Sequence, residues 1–240
     1  MGMKRALGEA AILLALTGAC GAAESGAPQA ISVSYEVFRN RARVAVMNET
    51  FETNGGSYRI VSESRAVGLL ALFERRPLRL TSSGRLTAAG LLPQRFEGKR
   101  GDRDPRQVRA DFDWQGKRLT IARDGNTDTL PLPPGTQDRL SLLYQFMFIA
   151  PGPSQGLEFS MTNGRKLDQY RYTVHAGVEI ETRLGRMATV HLVKQHRPDE
   201  SGAEIWLAPQ HRYLPIKMLI LEEDGARYEQ VITRLEIKSP

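Results

Sequence analysis

The chain has 240 residues, of which 41% are hydrophobic and 25% charged, with a net charge of +6 and a single cysteine. This balance suits one large folded domain with a real core, and it excludes a disordered chain or a disulfide-stapled scaffold. The aromatic content of 7% leaves no stacking-rich surface for nucleic acid, and no reader motif for nucleic acid is present.

The chain opens on "MGMKRALGEAAILLALTGACGAAESG". Lys4 and Arg5 form a positive start, Ala10 to Leu16 a short apolar run, and Thr17 to Ala23 a small-residue cleavage zone, the layout of a secretory signal over residues 1–23. The run is short of the about 20 residues that a membrane helix needs, and Glu9 interrupts it. The expectation is therefore an exported protein, periplasmic, with no transmembrane span in the mature chain. "LTGAC" resembles the lipobox of bacterial lipoproteins, which would make Cys20 a lipidation site tethering the protein to the outer membrane. Leu16 lies four residues before Cys20 where that motif has three, and cleavage after Ala23 would discard the cysteine instead. Residues 24–30 read as a flexible lead-in, and 31–240 as a single β-rich domain.

From residue 31 onward, runs rich in Val, Ile, Thr and Tyr alternate with turn signals. "RVAVMNETFET" and "SYRIVSES" flank Asn54-Gly55-Gly56 and predict a hairpin. "AVGLLALFERRP", residues 66–77, breaks the pattern with an apolar cluster ahead of Arg75 and Arg76. It reads as a second helical turn over about 67–74, with a buried strand as the alternative. Ser83-Gly84 and Ala89-Gly90 read as turns. "EGKRGDRDPRQVR" places five basic residues between Lys99 and Arg109, interleaved with acids, which suits a solvated hairpin loop better than an anion-binding patch. "DFDWQGKRLTIARDGNTDTLPL" predicts three short strands.

The segment "PLPPGTQDRLSLLYQFMFIAPGPSQG" is different. Thr136 or Asp138 can cap a helix start, and Leu140, Leu143, Tyr144, Met147 and Phe148 follow at helical spacing. A helix over about 137–149 that is apolar nearly all round must be buried, and here only sheet is available to bury it. "AEIWLAP", "YLPIKMLILEED" and "ARYEQVITRLEIK" close the chain as a meander, with Pro215 marking an edge strand or bulge. The predicted fold class is mainly β: a curved antiparallel sheet or incomplete β-barrel around one short buried helix.

"SSGRLTAAGLLPQRF", "DRLSLLYQF" and "EIWLAPQHRYLPIKM" resemble, in that order, the landmarks of the domain-of-unknown-function 3108 family of Gram-negative envelope proteins. The resemblance spans roughly Tyr35 to Ile237 and implies a periplasmic, mostly β fold. It brings no established activity and so no catalytic residue. A looser architectural likeness is to the periplasmic lipoprotein-carrier proteins, whose curved sheet and covering helices hold acyl chains.

No nucleophile elbow, phosphate loop or H-E-x-x-H stretch is present, and the spacing of the four histidines does not suggest a metal site. Glu179 and Glu181 read as a solvated strand face, and Ser82 and Ser83 as turn residues without a base. No catalytic residue, metal or cofactor is expected. The expected function is non-catalytic binding of a lipid, acyl chain or hydrophobic peptide in an apolar hollow. Phe73, Tyr144, Phe148 and Trp206 would line it, and Arg75 and Arg76 would meet a headgroup. The alternatives are an envelope interaction module whose core is filled by its own side chains and, as a minor reading, an enzyme with an unrecognised site.

Overall fold

A computed structural model describes residues 26–74, 76–101, 104–152, 156–197 and 199–239. The segment 1–23, Cys20 and Arg75 lie outside the described residues.

The first eight strands are β1 (Ala30–Arg39), β2 (Ala42–Asn54), β3 (Ser57–Ala66), β4 (Leu78–Thr87), β5 (Gly90–Lys99), β6 (Val108–Asp113), β7 (Arg118–Arg123) and β8 (Asn126–Pro131). A two-residue strand β9 (Gln137–Asp138) then leads into the helix α1 (Ser141–Gln145). The chain returns through β10 (Leu157–Thr162), β11 (Leu167–Thr182), β12 (Gly185–Lys194), β13 (Gly202–Ala208), β14 (Leu214–Leu221) and β15 (Arg227–Lys238). All belong to one sheet in the order β8-β7-β6-β5-β4-β3-β2-β1-β15-β14-β13-β12-β11-β10-β9. Every neighbouring pair is antiparallel except β9 with β10. The first and last long strands, β1 and β15, pair at the centre, where Ile31 faces Ile237 and Val33 faces Leu235.

The sheet does not close through a backbone ladder. It curls until β9 and α1 lie beside β5, and side chains bridge the seam. The Gln137 amide donates to the Leu91 carbonyl at 3.0 Å, and Leu91 N–H donates to Gln145 Oε1 at 2.7 Å. Gln145 Nε2 donates to the Ala89 carbonyl at 2.8 Å. Strands β6 to β8 continue past the seam, and the turn between β10 and β11 covers them. There Arg165 donates to Asp124 at 2.7 Å and to the Arg106 carbonyl at 3.2 Å.

Alternation along the strands fills the interior. Phe51, Tyr58, Ile60, Phe96, Leu119, Ile121 and Leu192 point into one large cluster that also takes Leu142, Leu143, Tyr144 and Phe146 from the α1 region. A second cluster gathers Val33, Tyr35, Ile216 and Ile232 with Met187, Trp206, Ala208 and Leu219. Ile205 and Leu207 belong to the first cluster while Trp206 and Ala208 belong to the second, as strict alternation in β13 requires.

Two details depart from the sequence reading, the length of the helix and the place of Ser83-Gly84, and the others sharpen it. The helix is shorter than 137–149, because Gln137 and Asp138 pair with Met161 and Thr162 as a strand and residues after Gln145 continue only as turn. The segment at about 67–74 is a 3-10 turn, Gly68–Leu72, with none of its residues buried, so the buried-strand alternative does not hold. Ser83-Gly84 is not a turn: both lie within β4, where Gly84 allows the Leu92 carbonyl to approach a position that a Cβ would occupy. In β15 a register shift opposite Ser34 and Tyr35 breaks the alternation and makes Ile232 the wholly buried residue there. Pro215 marks a shift between Trp206 and Leu207 on β13, and β14 is an interior strand, so the bulge is the correct reading there.

Candidate functional site

Two features stand apart from ordinary core and ordinary surface: a layer of buried polar groups around α1, and an apolar turn that faces solvent.

The polar layer begins with β2. Alternation that carries Phe51 inward carries Glu49 inward as well, and Glu49 is buried. Its carboxylate receives the Tyr144 hydroxyl at 3.2 Å and a hydrogen bond from Ser62 of β3. Burial pushes the Glu49 pKa up, against the opposing pull of those two hydrogen bonds and of Arg139. The Tyr144 ring stacks on Phe51, with centroids 5.2 Å apart. A second carboxylate, Asp138, is also fully buried. Its Oδ1 accepts from the backbone N–H groups of Leu140 and Ser141, each at 2.9 Å, while Ser141 Oγ accepts from Asp138 N–H at 2.9 Å. This reciprocal pair holds the start of α1, as expected of a cap at Asp138. Its Oδ2 accepts from Ser82 at 2.5 Å, and Ser82 in turn meets the Tyr58 hydroxyl at 3.1 Å. Burial raises the Asp138 pKa as well. Arg139 is hemmed in by enough protein to lower its pKa, with Glu49, Asp138 and Tyr170 pulling the other way, yet its side chain is still reached by solvent.

Chemically this layer is a set of paired hydrogen bonds, apart from Gln137 Oε1, which is buried without a partner among the described residues. The serines in it, Ser62, Ser82 and Ser141, are each engaged with a carboxylate and buried, and none has a histidine beside it. His191 is elsewhere: its ring stacks on Trp206 at 4.2 Å and its Nε2 lies 2.8 Å from Glu204. Among the described residues no group of His, Cys, Asp and Glu could hold a metal ion.

The apolar turn lies between β3 and β4. Leu69, Leu70, Leu72 and Phe73 are 81%, 43%, 64% and 83% exposed, four of the six large exposed hydrophobics among the described residues. A polar groove of about 600 Å³ also opens on the surface, lined by Lys99, Asp104, Gln107, Arg109, Arg123 and Asn126 among others.

The residues expected to line a hollow are dispersed. Tyr144 is deep in the first cluster and Phe148 is half-buried against it, Trp206 is in the second cluster, and Phe73 faces solvent. Arg76 lies over Gly101 in the β5–β6 loop. Sequence reasoning missed Glu49, Ser62, Ser82, Gln137 and Gln145. One signal was available for Glu49, a charged residue in phase with Met47 and Phe51.

The model of the family "Protein of unknown function (DUF3108)" matches residues 31–231. The chain belongs to that family. No curated protein matches it in sequence. Among solved structures, a β-barrel-like protein of the domain of unknown function DUF1849 from Brucella abortus superposes with a TM-score of 0.58 at 12% identity, over 88% of this chain and 98% of that one. That likeness shows the fold of this DUF3108 chain: mainly β and barrel-like, in one open sheet. A candidate lipoprotein from Parabacteroides distasonis matches with a TM-score of 0.35 at 7% identity, over 87% of this chain and 97% of that one. A candidate outer membrane lipoprotein-sorting protein domain from Vibrio parahaemolyticus matches with a TM-score of 0.25 at 7% identity, over 87% and 84%.

Proposed function

We propose that this DUF3108 chain is a non-catalytic module of the bacterial envelope that works through its exterior. The supporting observation is how the barrel interior is filled. Phe51, Ile60, Phe96, Leu119, Ile121, Phe146, Leu192 and Leu207 are wholly buried against one another, and Tyr144 is stacked into the same cluster. On this reading α1 and the side chains it meets occupy the space in which an acyl chain would lie. Four of the six large apolar groups left exposed among the described residues are gathered instead on one turn. The signal-like start of the chain supports export, to the periplasm or to the outer membrane through Cys20.

The test is lipid extraction and mass spectrometry of protein purified from its native envelope. This reading expects no stoichiometric lipid beyond any anchor at the N-terminus, which intact mass would locate at Cys20 or exclude. A lipid retained by the wild type and lost in Tyr144→Ala/Phe148→Ala would instead establish binding within an apolar hollow.

A further inference from the structure

We infer that the 3-10 turn between β3 and β4 is a docking tip that seats on an anionic lipid surface. The inference rests on the reading that the exterior is the working surface, and it names the partner. Burial is the ordinary fate of three leucines and a phenylalanine within five residues, yet all four side chains here face water. The turn is anchored rather than loose. Val67 N–H donates to the Val44 carbonyl at 2.9 Å, and Phe73 and Glu74 N–H groups return to the Leu70 carbonyl at 3.1 and 2.9 Å. The fold therefore holds the apolar side chains out.

The exposure and charge of this end select a bilayer over a protein pocket. The apolar residues sit together on one short 3-10 turn and its C-cap with none of them buried, which suits shallow insertion at a headgroup boundary. Each glutamate near the turn is already matched: Glu36 by Arg43, Glu63 by Arg65 and Glu74 by Arg100. Arg41, in the adjoining β1–β2 turn, and Arg76, just after the tip, make no ion pair among the described residues. Cations without an ion pair among the described residues, beside an apolar tip, favour a negatively charged surface, where each contributes modestly and in a salt-dependent way.

The experiment is sedimentation with vesicles of phosphatidylethanolamine and phosphatidylglycerol, against phosphatidylcholine alone. Protein lacking residues 1–23 is used, which keeps every described strand and removes any contribution of an N-terminal anchor. The expected result is binding to the anionic vesicles that weakens with salt and drops by about tenfold or more in Leu69→Ser/Phe73→Ser. The melting temperature of that variant should stay at the wild-type value. Arg76→Glu should weaken binding to anionic vesicles only. No vesicle binding by the wild type, or equal binding by the double variant, overturns the proposal. So does capture of an envelope protein that requires Leu69 and Phe73 while vesicles are ignored, which would make the tip a protein-docking site. Neither result depends on the lipid-extraction experiment, so the two readings fail separately.

Discussion

Ser82 and Asp138 are 56 residues apart in sequence, and their side chains meet at 2.5 Å in the barrel interior. That contact ties β4 to the start of α1, while the same carboxylate holds two amides of the first helical turn. Asp138→Ala removes all three interactions at once and leaves buried donors without acceptors. A loss of about 2–4 kcal/mol in folding stability follows, read by urea denaturation. Asp138→Asn keeps an acceptor for the two amides and should cost roughly half as much. Equal losses for Ala and Asn would mean that the negative charge, rather than the hydrogen-bond geometry, holds the helix.

The two buried acids also set the sign of the pH dependence. Burial raises the pKa of both Glu49 and Asp138, so the folded state binds their protons more tightly than the unfolded chain does. Their contribution is fully present below the unfolded carboxylate range, about pH 4, and is lost as pH rises toward the raised native values. Exposed Asp113, held below its usual range by the Gly116 amide and by Arg118, acts in the opposite direction and only under about pH 4. Urea midpoints should therefore fall between about pH 4.5 and pH 8. Glu49→Gln keeps an acceptor for Tyr144 and Ser62 but cannot ionise, so it should flatten that fall and raise stability at pH 8. A slope unchanged by Glu49→Gln would remove Glu49 from this account.

Most of the strand framework was legible because one face of each strand is buried and the turns use residues that demand their geometry. The hairpin around Asn54-Gly55-Gly56 and the three strands from Val108 to Pro131 stand where the pattern put them. The apolar α1 region announced its own burial. What failed was local. Ser82 looks like a turn residue beside Gly84, and only the folded sheet reveals that Asp138, from a distant segment, needs its hydroxyl. Leu69 to Phe73 look like core because apolar character in sequence says nothing about which side of the chain is left uncovered. The seam was hidden for the same reason: Gln137 and Gln145 are unremarkable polar residues until β5 is laid beside them.

Gly90 tests the seam. Its φ of +101° is unfavourable for any side chain, and an added Cβ would lie 2.4 Å from Gln145 Oε1, the atom that accepts from Leu91. Gly90→Ala should therefore cost about 2–3 kcal/mol, combining backbone strain with displacement of a seam bond. Gly125 also has positive φ, at +78°, but a Cβ added there would meet nothing within 4 Å. Gly125→Ala should cost only about 1 kcal/mol. A similar loss at both sites would show that Gln145 yields without consequence and that the seam does not depend on it.

Trp206 tests the second cluster independently of α1. One face of its ring carries the stacked His191, and the Lys217 ammonium lies 5.0 Å from the ring centroid. The side chain is buried and shares the second cluster with Met187, Ala208 and Leu219. Trp206→Ala should cost about 3–5 kcal/mol, the range for emptying a large aromatic site. Trp206→Phe retains an aromatic face for His191 and should recover more than half of the loss. Since Trp206 and Tyr144 lie in separate clusters, combining Trp206→Phe with Tyr144→Phe should give losses that add within about 0.5 kcal/mol. A larger coupling energy in that double-mutant cycle would mean that both rings border a shared space, the outcome that an apolar hollow predicts and a self-filled interior does not.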